Sequence, residues 1–405
     1  MSLSEPTRFA LSLGLYEDIK NMSIPCNSAD MYNADGKFLG SLDANDTVPI
    51  VGYSQVIFAR PRLYELLLKQ VPSEKITLRK KVLRTEEKEG KMHIYCSDNT
   101  SYEGDILVGC DGAYSNVRQN MFQQMKAKDL LPAVDGEDMA IGFVSMVGVA
   151  DSQDLKKYPQ LKDPFCHFSC ALGKDNRSWG VCNVADNQVC WGLNIQLSEQ
   201  EAKVQRFRNS EWGPESIETM IKEFQDVPSP WGGTMGEFIH ATPKDLISKV
   251  FLEEKLFQTW YHSRTVLLGD ACHKMLPGAG QGAVSAMQDA VVLANCIYNM
   301  NDKTPESLTA AFKDYREQRF DRVSNQYKAS KEMSKILSGQ TWSERFFRYI
   351  ILNWIPSFLQ NQQSLLGLDY RPQIAWLPLA ENRGTVSVLP QQGKREPLAE
   401  QASAL

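Results

Sequence analysis

The stretch Thr265–Ala294 constrains the fold of this chain most strongly, because a buried strand, a glycine-rich turn and a long helix follow one another within it. Thr265–Leu268 is a short β-branched and aliphatic run, which is typical of a strand covered on both faces. Glycines at alternate positions over 278–282 let the backbone approach another group closely. From Ala283 small and apolar residues recur at helical spacing. The pattern predicts an α/β fold.

An acidic residue, Asp270, follows the predicted strand and precedes the glycine-rich helix start. The first turn of a helix presents free amide N–H groups that stabilise an anion, and a nearby carboxylate accepts hydrogen bonds from hydroxyl groups. The arrangement therefore indicates a ligand that carries both hydroxyls and negative charge. A structural crossover with a capping acid is the alternative.

Two further segments have related features. Asp105–Asp111, DILVGCD, is a second buried strand that ends in Asp-Gly and precedes a predicted helix from Tyr114. Arg60–Val71 is predicted as an amphipathic helix, with proline at its second residue. Arg60 begins that helix, where the helix dipole disfavours a cation, so an anionic partner is the favoured interpretation. A surface arginine is the alternative.

These segments together resemble the FAD-dependent monooxygenases of the aromatic-hydroxylase-like, single-component class. GDACHKMLPGAGQGAVSAMQDA is similar to the family's second flavin motif, DILVGCDGAYSNVR to its middle motif, and RxxLxxxL from Arg60 to the motif whose arginine contacts FAD. Within that class the chain looks most like the fungal flavoprotein epoxidases of meroterpenoid and indole-diterpene pathways. ARPRLYELLLKQVPSEKI and LLGDACHKMLPGAGQGAVSAMQDAVVLANCIY carry this narrower similarity.

The resemblance implies a cofactor-binding set for FAD. Its members are Arg60, Asp111, Asp270, Gly280, Gly282 and Ala283, and Arg118 carries over with the middle motif. It also implies that NAD(P)H reduces FAD and that O2 reacts at the reduced ring. Because the cofactor performs the difficult step, no catalytic side chain is assigned.

The resemblance predicts an FAD-binding, Rossmann-like three-layer domain with a β-sheet substrate domain and C-terminal helices. No GxGxxG precedes Arg8, so the first βαβ unit is expected to be missing and dinucleotide affinity to be reduced. The expected division is an FAD-binding domain over 1–141 and 256–340, a substrate domain over 142–255, a helical segment over 341–379 and a disordered tail over 380–405. Two helices, Pro305–Glu317 and Arg319–Leu337, are predicted after Asn301.

Composition excludes several other classes. The net charge of −5, with both signs mixed, gives no electrostatic basis for nucleic-acid binding. The nine scattered cysteines include no CxxC pair, and the five histidines show no HxxxH pairing, so no metal site is predicted. The unpaired cysteine pattern fits an intracellular protein, cytoplasmic or on the cytoplasmic face of a membrane. Cys272 is weighed as a nucleophile and disfavoured, since only His273 is near.

The predicted function is epoxidation of a prenyl-chain alkene, with a small apolar substrate, prenylated or aromatic, and O2 as reactants. An aromatic hydroxylase of the same fold and a truncated, non-catalytic binding module are the alternatives.

Phe346–Leu359 is predicted to be a packed amphipathic helix, with peripheral membrane contact through 344–360 as the alternative. Trp179, Trp191 and Phe168 are predicted on substrate-domain strands, and core positions are favoured over pocket positions for them.

Overall fold

The computed structural model describes residues 13–43, 47–151, 153–173, 176–198, 200–201, 214–338, 341–354 and 369–389. Its named helices are α1 Tyr16–Asn21, α2 Thr47–Val51, α3 Arg60–Leu68, α4 Asn116–Lys126, α5 Pro214–Phe224, α6 Met235–His240, α7 Gly282–Tyr298, α8 Pro305–Ser338 and α9 Trp342–Asn353.

The strands form one large sheet and three small ones. They are β1 Ile24–Pro25, β2 Ser28–Asn33, β3 Phe38–Asp43, β4 Val56–Ile57, β5 Val82–Lys88, β6 Lys91–Cys96, β7 Ser101–Gly104, β8 Leu107–Gly109, β9 Ala140–Ala150, β10 Phe168–Leu172, β11 Arg177–Val184, β12 Gln188–Gln196, β13 Ser248–Leu256, β14 Tyr261–His262, β15 Thr265–Leu267 and β16 His273–Lys274. The fold is mixed α/β with C-terminal helices, as predicted.

The large sheet has the order β16-β13-β9-β12-β11-β10-β2-β3. Most of it comes from the stretch predicted as the substrate domain, but β2 and β3 join it through the parallel pairing of β2 with β10. The sheet buries one face against α5 and α6, where Trp191, Leu193, Phe224, Phe238 and Met146 are almost completely buried. The domain boundaries themselves stay a prediction.

The core around the flavin-like motifs is separate. It packs α4, α7 and α8 around the parallel pair of β8 and β15, and its most buried members include Trp260, Phe312 and Tyr315. The small sheet here has the order β14-β15-β8. Strand β15 is completely buried, in agreement with the predicted strand covered on both faces.

One helix prediction is wrong. The segment 305–338 forms one continuous helix, α8, where two were predicted, because nothing at position 318 breaks it and Tyr315 and Arg319 are both buried in the same core.

The C-terminal region covers α2 and β3. In the tail predicted from Ala380, Thr385 N–H donates to Pro49 O at 3.1 Å and Val386 N–H to Ile50 O at 3.2 Å, while 390–405 lie outside the described residues. On α9, Trp342 and Phe346 are exposed, and membrane contact there stays a prediction. Among the described residues, none of the helices combines the length and the apolar character that crossing a bilayer requires.

Candidate functional site

The parallel pairing of β8 with β15 brings the two Asp-Gly motifs together. Gly109 is the register partner of Leu267, and Leu268 N–H donates to Gly109 O at 3.0 Å. The turns carrying Asp111 and Asp270 therefore leave the same carboxyl edge of the sheet as neighbours. That edge is where ligands bind in open parallel sheets.

Arg118 joins the two turns. Its Nη1 donates to Ala271 O at 2.9 Å and its Nη2 to Ala113 O at 2.6 Å, and the guanidinium carbon lies 4.1 Å from the centre of the Phe257 ring. The side chain is buried, and this burial lowers the pKa of Arg118. Arg118 therefore acts as a clamp between the motifs rather than as an open cation.

Asp111 orders the turn in which it lies. Its carboxylate accepts hydrogen bonds from the Ser115 hydroxyl and, at 3.2 Å, from Val117 N–H at the start of α4. Gly112 follows with φ of +82°, and a Cβ built on it would meet nothing within 4 Å. Open space thus lies in front of the Gly112 backbone, and a direct contact of Asp111 with FAD stays a prediction.

Asp270 is partly exposed beside the glycine-rich loop. Its carboxylate accepts from Lys274 Nζ at 2.6 Å. The preceding Gly269 has φ of +60°, and a Cβ on it would lie 3.0 Å from Ala286 Cβ, so only glycine fits this turn beside α7.

A buried network beneath the turn holds it in place, and sequence reasoning did not find it. Asp289 on α7 accepts from Gly269 N–H at 3.0 Å, from His273 Nε2 at 2.5 Å and from Arg319 Nε at 2.7 Å. Burial alone would raise the pKa of Asp289, but the neighbouring His273 and Arg319 outweigh it and lower that pKa to about 2. The sequence signal for this network was an acidic residue, Asp289, among the apolar positions of α7.

Cys272, His273 and Asp289 approach one another closely enough to suggest metal ligands. However, both carboxylate oxygens of Asp289 already accept hydrogen bonds from the chain itself. The carboxylate of Asp289 is therefore already satisfied, although His273 Nδ1 is buried without a hydrogen-bond partner among the described residues. Cys272 is completely buried, and burial raises its pKa well above the ordinary thiol value, so it is unsuited to act as a nucleophile.

The N-terminus of α7 leaves polar groups open. Its N-cap residue, Gln281, makes no side-chain capping hydrogen bond, and Gln281 Oε1 is buried without a partner in the described part of the chain. Gly280, immediately before, has φ of +67°. Gly282 and Ala283 begin the helix with amide groups that have no intrahelical acceptor. This end of α7 suits a polar or anionic group.

Arg60 lies exposed at the first residue of α3. The described residues contribute no hydrogen bond or ion pair to its guanidinium, whereas Arg62 pairs with Asp186 in the turn between β11 and β12. Helix α3 packs on the first turn of α7 through Leu63 and Val284. Arg60 is therefore an uncommitted cation that the fold holds near the N-terminus of α7.

The large sheet has a second face, opposite the one covered by α5 and α6, which lies towards Arg60 and the N-terminus of α7. Its far end, at Cys182 and Cys190, is covered by Ile57 of the β1–β4 ribbon. The other side of the same ribbon packs through Phe58 against Leu63 and Val284. The ribbon thus separates the covered end of this face from α7. We call the uncovered part beside it the open face. Its two middle rows are Gly180, Gly192, Val147, Ser248 and Ser178, Asn194, Ser145, Val250.

The three aromatic residues weighed as pocket lining belong to the core, as favoured. Trp179 and Trp191 are buried on the helix-covered face, where their Nε1 atoms donate to Pro228 O and Thr242 Oγ1, each at 2.8 Å. Phe168 packs beside Cys182 at the covered end of the other face. None of these three rings is free to line the open face.

These observations fit FAD. Arg60 and the uncapped N-terminus of α7 suit its negative charge, Asp270 suits its hydroxyls, and the buried Gln281 Oε1 lacks a donor that a ligand would supply. The roles of Arg60, Asp111, Asp270, Gly280, Gly282 and Ala283 in binding stay predictions, although the fold brings the elements that carry them towards one site.

Comparison with known proteins identifies the class. Residues 80–326 match the FAD binding domain family, and the chain belongs to that family. It is similar to the FAD-dependent monooxygenase ausM of Emericella nidulans, with 27% identity covering 92% of this chain and 77% of the relative. It is also similar to the FAD-dependent monooxygenase ptmM of Penicillium ochrochloron, with 29% identity covering 79% of this chain and 74% of the relative.

Solved structures share the fold. HpxO of Klebsiella pneumoniae complexed with FAD and uric acid aligns with a TM-score of 0.67 at 19% identity, covering 91% of this chain and 86% of that one. A salicylate hydroxylase substrate complex aligns with a TM-score of 0.66 at 18% identity, covering 93% and 91%. The chain is an FAD-dependent monooxygenase, as the motifs predicted.

Proposed function

We propose that this monooxygenase uses FAD, NAD(P)H and O2 to epoxidise an alkene of a prenyl chain in fungal meroterpenoid biosynthesis. The observation that carries the proposal is the chemistry of the open face. Its middle rows consist of glycine, aliphatic, serine and asparagine residues, with Val147 42% exposed. A surface without charged side chains that combines glycine and aliphatic positions with a few neutral polar groups suits an isoprenoid chain.

The rival aromatic hydroxylase would need a base to activate a phenol. Among the described residues of the two middle rows, none carries a carboxylate, an imidazole or an amine. The adjacent Cys170 thiol has its pKa raised to about 12 by burial, so it does not act as a base near neutral pH. An alkene needs no such activation, and this difference supports epoxidation over phenol hydroxylation.

In this proposal each part of the chain has a limited role. When FAD is bound, it supplies the electron transfer and the oxygen activation. Arg60 and Asp270 bind the cofactor, the N-terminus of α7 stabilises negative charge near the glycine-rich loop, and the open face holds the alkene and excludes water. Arg118 and Asp289 keep the two motif turns in position.

The proposal is tested by adding FAD, NADPH and O2 to the purified chain with either a prenylated alkene or a simple phenol. Epoxide formed from the alkene, with NADPH consumption dependent on it, is the expected result. Ring hydroxylation of the phenol instead would support the aromatic hydroxylase. A protein that binds no FAD and consumes no NADPH would support the non-catalytic binding module.

A further inference from the structure

We propose that Asn194, fixed by Ser145, is a specificity-determining residue that donates a hydrogen bond to an oxygen atom of the substrate. The substrate would then combine an apolar isoprenoid body with a hydrogen-bond-accepting oxygen, such as a carbonyl. This inference rests on the proposed function, because it takes the open face as the floor of the substrate site.

The first step is that the open face has room for a ligand. A Cβ built on Gly192 would have Val147 Cγ1, at 3.9 Å, as its nearest neighbour, so space lies above this central strand. The backbone of Gly192 does not have positive φ. The glycine is therefore not required by the strand conformation, and its absent side chain is what leaves the space open.

The second step is that a hydrogen-bonded polar pair lies on this surface beside the glycine row. Ser145 on β9 and Asn194 on β12 are direct register partners, and Ser145 Oγ donates to Asn194 Oδ1 at 2.8 Å. Ser145 is only 7% exposed. Because its hydroxyl proton is committed to the carbonyl oxygen of Asn194, the orientation of the amide group is fixed.

The third step concerns the remaining half of that amide. Within the described residues, Asn194 Nδ2 makes no hydrogen bond, although it has two hydrogens to donate. A half-buried amide donor beside the glycine row, with Ser145 and Ser178 as its register partners, is unfavourable when unpaired. A substrate oxygen would satisfy it, and a purely hydrocarbon ligand would leave it desolvated and unpaired. This asymmetry selects for oxygenated isoprenoids.

Ser178 provides an internal comparison. It lies directly opposite Asn194 on the other neighbouring strand, β11, so it is a second serine in register with the same amide. Its hydroxyl makes no hydrogen bond to Asn194 in the structure. Removing the Ser178 hydroxyl should therefore leave the amide orientation unchanged, whereas removing that of Ser145 should release it.

The experiment uses full-length, FAD-loaded protein and two probes that share an isoprenoid tail: the ketone farnesylacetone and the hydrocarbon β-farnesene. Binding is followed through the change in the absorbance of bound flavin. Wild type should bind the ketone about three- to tenfold more tightly. Asn194→Leu should abolish this preference without weakening the binding of the hydrocarbon. Ser145→Ala should reduce the preference for the ketone, and Ser178→Ala should preserve it.

A plugging variant separates this inference from the proposed function. Gly192→Leu should weaken both probes at least tenfold while FAD retention is unchanged. If Gly192→Leu binds both probes normally, or if wild type binds neither, the proposed substrate site is wrong and the inference falls with it. If Gly192→Leu blocks both probes but Asn194→Leu still prefers the ketone, the proposed role of Asn194 is wrong and the substrate site stands. The same conclusion follows if Gly192→Leu blocks both probes but wild type shows no preference for the ketone.

Discussion

Arg118 Nη1 donates a hydrogen bond to Ala271 O at 2.9 Å, across 153 residues of chain. The same guanidinium donates to Ala113 O, so one buried cation fixes the distance between the turn after β8 and the turn after β15. Both turns are predicted to contact the cofactor. Their relative position should therefore depend on this side chain more than on either turn alone.

Replacement of Arg118 by Met should weaken FAD binding and destabilise the protein together. The buried Ala271 carbonyl and the partly buried Ala113 carbonyl would lose their donors, at a cost of about 1–3 kcal/mol for the buried one and less for the other. Urea unfolding measures the stability change, and fluorescence titration measures the FAD dissociation constant.

Arg264→Met is the matched control, because Arg264 donates to Asp105 O at the opposite, amino end of the same strand pair. This variant should leave FAD affinity unchanged even where it lowers stability. Equal losses of FAD affinity in the two variants would mean that Arg118 acts only on general stability.

Asp289 should contribute to stability in a pH-dependent way. Its pKa of about 2 in the folded protein lies below the ordinary aspartate value of 3.8, so its stabilising effect is present above pH 4 and is lost as pH falls towards 2. A shift of this size corresponds to about 2 kcal/mol. The measurement is the difference in unfolding free energy between wild type and Asp289→Asn at several pH values. A difference that stays constant between pH 5 and pH 2 would contradict this role.

Arg60 should bind FAD through its charge. Arg60→Met should raise the FAD dissociation constant about tenfold or more, because a charge-assisted hydrogen bond contributes about 1.5–3 kcal/mol. Stability should change little, since the guanidinium is exposed. Arg62→Met is the control: it removes a cation two residues away that is paired with Asp186, and it should leave FAD affinity near that of wild type.

Local pattern predicted the parts of the fold that are encoded within single segments. The buried strand before Asp270, the glycine turn and α7 were found because apolar period and glycine position are local signals. The family resemblance implied that Asp111 and Asp270 belong to one cofactor-binding set, but the parallel pairing of β8 with β15, which brings their turns together, was not predicted. The pairing of β2 with β10 was not foreseen, because short strands carry little information about their partners.

The supporting residues of the site were harder to predict for the same reason. Asp289 and Arg319 are 30 residues apart on two helices, and nothing in their local sequence shows that they meet. Arg118 was singled out by its motif, but its buried contacts with two carbonyls depend on tertiary packing. Ser145 and Asn194 were not considered, since their pairing depends on the register of β9 with β12.

The central claim is that the Asp270 turn and the Gly280–Ala283 helix start bind FAD, and the affinity of Asp270→Ala for FAD tests it most directly. Asp270 is partly exposed, and its bond to Lys274 contributes little to folding, so the variant should keep the unfolding midpoint of wild type. Its FAD dissociation constant, measured by fluorescence titration, should rise at least tenfold, while Asp186→Ala stays at the wild-type value. An FAD affinity equal to that of wild type in Asp270→Ala would contradict the account.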